Sequence, residues 1–226
     1  MNDNIGFRVA EALLKYLGFL IAITMYQAGI AIMAQRRGDK SYATQQRATL
    51  NPLPHMDPMG TILCPIITIM LHSPIVLGWP KPHFIETRYF KKPKKDVNLV
   101  YLSGVGINFA IAIFCMITLR LLGGGTFLLE SSLDLSDVNI LIKIMLGLIG
   151  ITNMTIGALF LLPLPGTAGW NILLNNVSYN TSVKLQQKMM IISIAGLLLI
   201  VLGALNFYFH IFIGLFVLGS NTMIGF

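Results

Sequence analysis

The chain has 226 residues, of which 55% are apolar and 11% charged, and its mean hydropathy is +0.73. These values exclude a soluble globular protein and predict a polytopic membrane protein with a single transmembrane domain over residues 1–226. The net charge of +7 lies mainly in short loops, which is typical of a protein at an anionic membrane face. Basic stretches interleaved with aromatic residues are missing, so we expect no nucleic-acid partner.

The first long apolar segment runs from about Val9 to Arg37. It has no charged residue from Tyr16 to Ala34, and about 20 uncharged residues match the hydrocarbon thickness of a bilayer. Two arginines end the segment. We therefore predict a transmembrane helix here, and no removable signal peptide because a basic leader is missing before it.

The next apolar stretch, Thr61–Trp79, lies between two basic loops at 37–56 and 80–96. Pro65 and Pro74 interrupt it. A full crossing would place the two basic loops on opposite sides of the membrane, against the positive-inside rule. We therefore predict that this stretch re-enters the membrane, that both basic loops face the cytoplasm, and that the acidic loop at 124–137 lies on the other side.

Three further apolar stretches complete the chain. Val97–Leu119 is one helix, Ile144–Val183 contains a Pro-x-Pro break, and Met189–Phe226 is too long for one straight span. In the last stretch we predict a helix to about Leu205, a bend at Asn206 and a shorter helix. The expected fold is all-α, with about five to six membrane segments, one of them re-entrant.

Several motifs resemble a known family. The run Asn51-Pro52-Leu53-Pro54-His55-Met56-Asp57-Pro58-Met59-Gly60-Thr61 is similar to the Asn-Pro-Leu-x-His-Ile-Asp-Pro-x-Gly-Thr stretch of the short bacterial site-2 proteases, which are intramembrane zinc metalloproteases. Gly78-Trp79-Pro80-Lys81-Pro82 resembles their Gly-Trp-Ala-Lys-Pro, and Gly104 and Asn108 match their Ala-Gly-Pro-x-x-Asn. The resemblance covers nearly the whole chain and implies a site-2 protease-like core.

The residues that carry the family's chemistry differ in this chain. Where the family has His-Glu-x-x-His before a Gly-Asp pair, this chain has Tyr26, Gln27 and Ile30 before Gly38-Asp39. The third landmark of the family is Asn-Leu-Leu-Pro-x-Pro-Pro-Leu-Asp-Gly, and its zinc-binding Asp corresponds to Ala168. The resemblance therefore implies that both histidine ligands, the general base and the acidic ligand are replaced.

From these replacements we predict a catalytically inactive homologue, a pseudoprotease, that is not an enzyme and holds no cofactor. We expect it in the bacterial inner membrane, in contact with lipid and with a transmembrane helix of another membrane protein. The Tyr26 ring should occupy the vacated site beside the Pro163–Gly169 break and form a hydrogen bond there. The predicted lining of the vacated site consists of Asn108, Phe160, Pro163, Pro165 and Gly169. Asn108 should find a partner on a neighbouring helix.

Two alternatives stay open. The chain could be an active intramembrane zinc metalloprotease with a non-standard metal site that uses His55, Asp57 or His83, since imidazole and carboxylate groups are zinc ligands. It could also be a structural subunit of a larger membrane complex. Against a metal role, Asp57 and Pro58 are typical turn and cap residues that lead into the next apolar stretch.

Overall fold

A computed structural model describes residues 5–71, 76–124 and 137–221. The described chain is helical, with a 3-10 turn at Leu53–His55 and a π-helical turn at Pro58–Leu63. In chain order the α-helices are α1 Ile5–Arg37, α2 Tyr42–Arg47, α3 Cys64–Met70, α4 Pro93–Leu121, α5 Val138–Leu161, α6 Ala168–Asn176, α7 Tyr179–Gln187, α8 Met189–Val201 and α9 Asn206–Ser220. The predicted all-α fold is confirmed.

Among the described residues, three helices are long and apolar enough to cross a membrane: Val9–Arg37 within α1, all of α4, and all of α5. Helices α7 and α8 form a fourth candidate span that is bent by 67°. Two shorter apolar helical segments, Pro58–Met70 and α9, complete the set. The chain is therefore an integral membrane protein.

The stretch after the first basic loop has a short helical part, and its two ends are hydrogen-bonded to each other. Its helical part, Pro58–Met70, is only about 20 Å long at the usual rise per residue, against about 30 Å for the bilayer core. The N–H of Trp79 donates to the carbonyl of Gly60 at 3.0 Å, and the Thr61 hydroxyl donates to the carbonyl of Trp79 at 2.9 Å. The two ends of the stretch therefore lie next to each other, as a re-entrant segment requires.

The core of the fold forms where α1, α4 and α5 pack together. Helices α1 and α4 approach closely because Gly29 faces Gly104, and the Ser103 hydroxyl donates to the carbonyl of Gly29 at 3.1 Å. Small residues at a crossing let two helix backbones come together in a membrane. This close contact positions the middle of α1 against the functional region described below.

The bend near Asn206 is present, although α8 ends at Val201, earlier than the predicted Leu205. Gly203 has a φ of +76°, and a left-handed glycine is the usual residue just after a helix C-terminus. The hydroxyl of Tyr208 then donates to the carbonyl of Ala158 at 2.9 Å and joins α9 to α5. The acidic loop predicted at 124–137 lies almost entirely outside the described residues.

Candidate functional site

The break between α5 and α6 creates an irregular turn inside the helical bundle. Pro163 and Pro165 have no N–H, so the helix cannot continue through them. The hydroxyl of Thr167 lies 2.5 Å from the carbonyl of Leu162 and 2.8 Å from that of Leu164, and it accepts the N–H of Trp170 as the N-cap of α6. One side chain therefore satisfies the freed carbonyls and starts the next helix.

Tyr26, in the middle of α1, packs against this break. Its side chain is 2% exposed and its ring stacks on Phe160, with 4.2 Å between the ring centroids. The phenol oxygen interacts with the backbone N–H of Ala168, which is a free donor because it belongs to the first turn of α6. The ring therefore lies beside the break, next to Phe160 and Ala168. The partner of its phenol is a backbone amide.

The polar residues near Tyr26 are only partly hydrogen-bonded. The side-chain amide of Gln27 donates to the carbonyl of Lys81 at 3.2 Å, while its Oε1 atom is buried without a partner in the described chain. Asn108 is fully buried, and neither its Oδ1 nor its Nδ2 has a partner among the described residues. The described part of the chain therefore does not supply the partner on a neighbouring helix that we predict for Asn108.

The other predicted lining residues divide into two groups. Phe160 is buried against Tyr26, and Gly169 lies so close to the carbonyl of Leu161 that any side chain would collide with it. Pro163 and Pro165 form the turn itself, and Pro163 is exposed. The structure thus brings Tyr26, Phe160 and Ala168 together and leaves Pro163 at the surface.

A zinc ion does not fit at this position. A catalytic zinc needs three nitrogen, sulfur or carboxylate ligands and an open coordination position. Ile30 and Ala168 present only carbon atoms from their side chains, and the phenol of Tyr26 is held between Phe160 and the Ala168 amide. Buried apolar groups therefore fill the volume.

A second polar centre lies just beyond the end of α1. The hydroxyl of Thr44 donates to Oδ2 of Asp39 at 2.6 Å and lies 2.8 Å from Nε2 of His83. Asp39 also accepts the N–H groups of Ser41 at 2.8 Å and Glu86 at 3.0 Å. Burial opposes ionisation of Asp39, but these hydrogen bonds outweigh it and lower the pKa of the carboxyl group. The sequence did not indicate that Thr44 belongs to this centre. The only sequence signal for the centre was the Gly38-Asp39 pair, which contains Asp39.

Two neutral histidines lie in the same region. Burial is the largest cause that lowers the pKa of His55, and it lowers the pKa of His83 to about 4, with a further contribution from the positive charge of Arg47. The Nε2 of His55 lies 3.0 Å from the carbonyl of Thr49. The Nδ1 atoms of both rings are buried without a partner in the described chain, so each ring has an unused nitrogen.

Asp57, the third residue considered as a metal ligand, has a structural role. Its Oδ1 accepts the N–H groups of Met59 at 3.0 Å and Gly60 at 2.7 Å and caps the helical turn that follows. Within the described ranges, no three histidine, cysteine, aspartate or glutamate side chains come together as a metal site would require.

Comparison with known proteins places this architecture in a family. "Putative zinc metalloprotease YwhC" of Bacillus subtilis (strain 168) is 31% identical over 181 residues, which cover 78% of this chain and 75% of YwhC. The chain belongs to the site-2 protease family. Proteins named "Putative zinc metalloprotease Rip2" are also similar. The one from Mycolicibacterium smegmatis is 28% identical over 48% of this chain and 40% of its own length, and the one from Mycobacterium tuberculosis H37Rv is 25% identical over 68% of this chain and 53% of its own length. No family model and no solved structure matches the chain.

Membership in the site-2 protease family corrects one prediction. From Tyr26, Gln27, Ile30 and Ala168 we predicted that the chain is not an enzyme, but its site-2 protease relatives are named as zinc metalloproteases, which points to a protease. The prediction was wrong because it extended a local observation to the whole protein. The side chains of Tyr26, Ile30 and Ala168 decide whether zinc fits between them. They do not decide whether the protein as a whole is an enzyme.

Proposed function

We propose that this member of the site-2 protease family acts on a membrane-spanning segment of another protein in the bacterial cytoplasmic membrane, and that it binds that segment in extended form along residues 76–87. The observation that carries the proposal is an unpaired backbone edge on residues 76–87, which contain no helix.

In this segment the backbone groups of alternate residues form hydrogen bonds on one side of the extended chain. The N–H groups of Leu77, Trp79 and Lys81 donate to Thr68, Gly60 and His55, respectively. The carbonyls of Trp79 and Lys81 accept from the side chains of Thr61 and Gln27. Because backbone groups alternate along an extended chain, the groups of residues 78, 80 and 82 point the other way.

The opposite edge is where a partner would bind. The hydrogen bonds among the described residues do not involve the carbonyls of Gly78, Pro80 and Pro82, and two of these residues lack an N–H. Gly78 and Pro80 are buried, whereas Pro82 is exposed. Gly78 lies against the ring of Phe19 on α1, so the segment packs beside the helix that carries Tyr26. Buried carbonyls are normally satisfied by protein or water. An extended peptide that supplies N–H donors would pair with them, as in strand addition to an open edge.

Site-specific photocrosslinking tests this proposal. A photoreactive residue at Phe84, which is 86% exposed beside the open edge, should form crosslinks in native membranes to a peptide from a membrane-spanning part of another protein. The matched control is the same group at Phe114, which is 67% exposed on α4. Equal capture of the same peptide at both positions, or crosslinks to lipid alone, would refute the binding position. Shortening of the captured protein over time would identify it as a substrate.

Peptide-bond hydrolysis with a metal outside the family's usual position is a second candidate function. The names of the relatives favour it, and the unused Nδ1 atoms of His55 and His83 are the observation in this chain that supports it. Neutral imidazole nitrogen is a preferred zinc ligand. Elemental analysis of the purified protein should then find zinc that is lost in both His55→Ala and His83→Ala. A zinc content that neither change alters would exclude this pair.

A further inference from the structure

A basic cavity of about 320 Å³ lies between the end of α1 and the start of α4. This volume is within the range of small-molecule sites. The lining contains five cationic side chains and one carboxylate: Arg36, Arg37, Lys91, Lys92, Lys95 and Asp96. The cavity is separate from Tyr26 and from the unpaired edge of residues 76–87.

The single carboxylate in the cavity, that of Asp96, already has a hydrogen-bond donor and an ion-pair partner. Oδ2 of Asp96 accepts the backbone N–H of Lys92 at 2.8 Å, and Oδ1 lies 3.5 Å from the guanidinium of Arg37. In the described part of the chain, the other four cations make no ion pair with a carboxylate. The Nε of Arg37 is buried and has no acceptor there either. The cavity therefore has a net positive charge and an unused donor.

The position of the cavity in the fold indicates its surroundings. Arg36 and Arg37 are the last residues of α1, and Lys92 directly precedes α4. Both helices are long and apolar enough to cross the membrane, so their charged ends lie at the level of the lipid headgroups. Phosphate is the main anion at that level, and arginine pairs with it in a bidentate manner while lysine binds it as a point charge.

We propose that this cavity binds a negatively charged phosphate group, the chemistry that an anionic phospholipid headgroup and free phosphate share. Four cations that have no carboxylate partner among the described residues, and a guanidinium N–H that is unsatisfied there, provide both the charge and the donors for such a group. The site joins the end of α1 to the start of α4, and an occupied site stabilises that contact.

Binding of defined probes to the purified full-length chain in neutral detergent tests the proposal. The probes are short-chain phosphatidylglycerol, short-chain phosphatidylcholine and inorganic phosphate. Lys95→Gln removes a cation from the cavity. Lys94→Gln is the matched control, because Lys94 is its neighbour, is also exposed and does not line the cavity. Loss of one cation should weaken binding of the anionic lipid about fivefold in Lys95→Gln, with no change in Lys94→Gln. Far-ultraviolet circular dichroism checks that both variants stay folded.

The possible outcomes distinguish a lipid headgroup from free phosphate as the ligand, and some of them would refute the proposal. Saturable binding of phosphatidylglycerol that phosphate does not displace identifies a lipid headgroup site. Binding of phosphate alone, weakened by Lys95→Gln only, identifies a site for the free anion. Equal binding of phosphatidylcholine and phosphatidylglycerol, an equal loss in the two lysine variants, or no saturable binding of either anion would overturn the proposal.

Discussion

The contact of α1 with α4 at Gly104 gives the sharpest stability prediction. A Cβ atom at Gly104 would lie 2.7 Å from the carbonyl oxygen of Tyr26 and 2.8 Å from side-chain carbons of Tyr26 and Ile30. The carbonyl belongs to the backbone of a long helix, so the clash can be relieved only by moving α1 away from α4. Overpacking of this kind typically costs about 1–3 kcal/mol. Gly104→Ala should therefore destabilise the protein despite the better helix propensity of alanine.

Gly106 provides the control on the same helix. A Cβ atom there would meet nothing within 4 Å, so Gly106→Ala should be neutral or stabilising by up to about 1 kcal/mol. The two variants should differ by about 1–4 kcal/mol, measured by denaturant titration in detergent and followed by circular dichroism. If Gly104→Ala is as stable as Gly106→Ala, then α1 and α4 do not approach as closely as the structure shows. The position of Tyr26 against Phe160 would then also need revision.

Two further predictions concern the polar centre and the vacated zinc position. Because burial lowers the pKa of His83 to about 4 from its ordinary value of 6.5, the unfolded chain binds more protons than the folded one between these values, so the free energy of unfolding should fall as the pH drops through this range. His83→Gln should reduce this slope without abolishing it, since the pKa of His55 is also lowered; an unchanged slope would show that His83 is not the responsible group. At the vacated position, four changes made together should allow binding of about one zinc per chain, whereas each single change should bind none there: Tyr26→His, Gln27→Glu, Ile30→His and Ala168→Asp. Elemental analysis of the five variants and of the natural chain measures the zinc content. If the combined variant holds no more zinc than the natural chain, the four positions do not converge on one site.

Much of the fold could be predicted because its signals are local. An uncharged run of sufficient length, such as Tyr16–Ala34, specifies a membrane helix in whatever context it occurs. Pro163 and Pro165 must interrupt a helix because they lack an N–H, and a turn was correctly expected near Asn206. The position of the Tyr26 ring followed from matching two such local landmarks to a family pattern.

The functional centres depend on contacts that the order of residues does not reveal. Thr44 and His83 are 39 residues apart, and they meet only because the chain between Gly60 and Trp79 folds back on itself. Asn108 illustrates the same limit, since we expect a polar partner and the described residues bury its side chain without one.

The two glycines of α4 and the two basic clusters show the same division between local pattern and tertiary structure. Gly104 and Gly106 are two residues apart on the same helix. The rotation of α4 nevertheless places Gly104 against α1 and leaves open space beside Gly106. The arginines that end α1 and the lysines before α4 each indicate a membrane boundary through local charge. Only the antiparallel packing of these helices places them around one cavity, because a shared cavity is a property of the space between elements and not of either element alone.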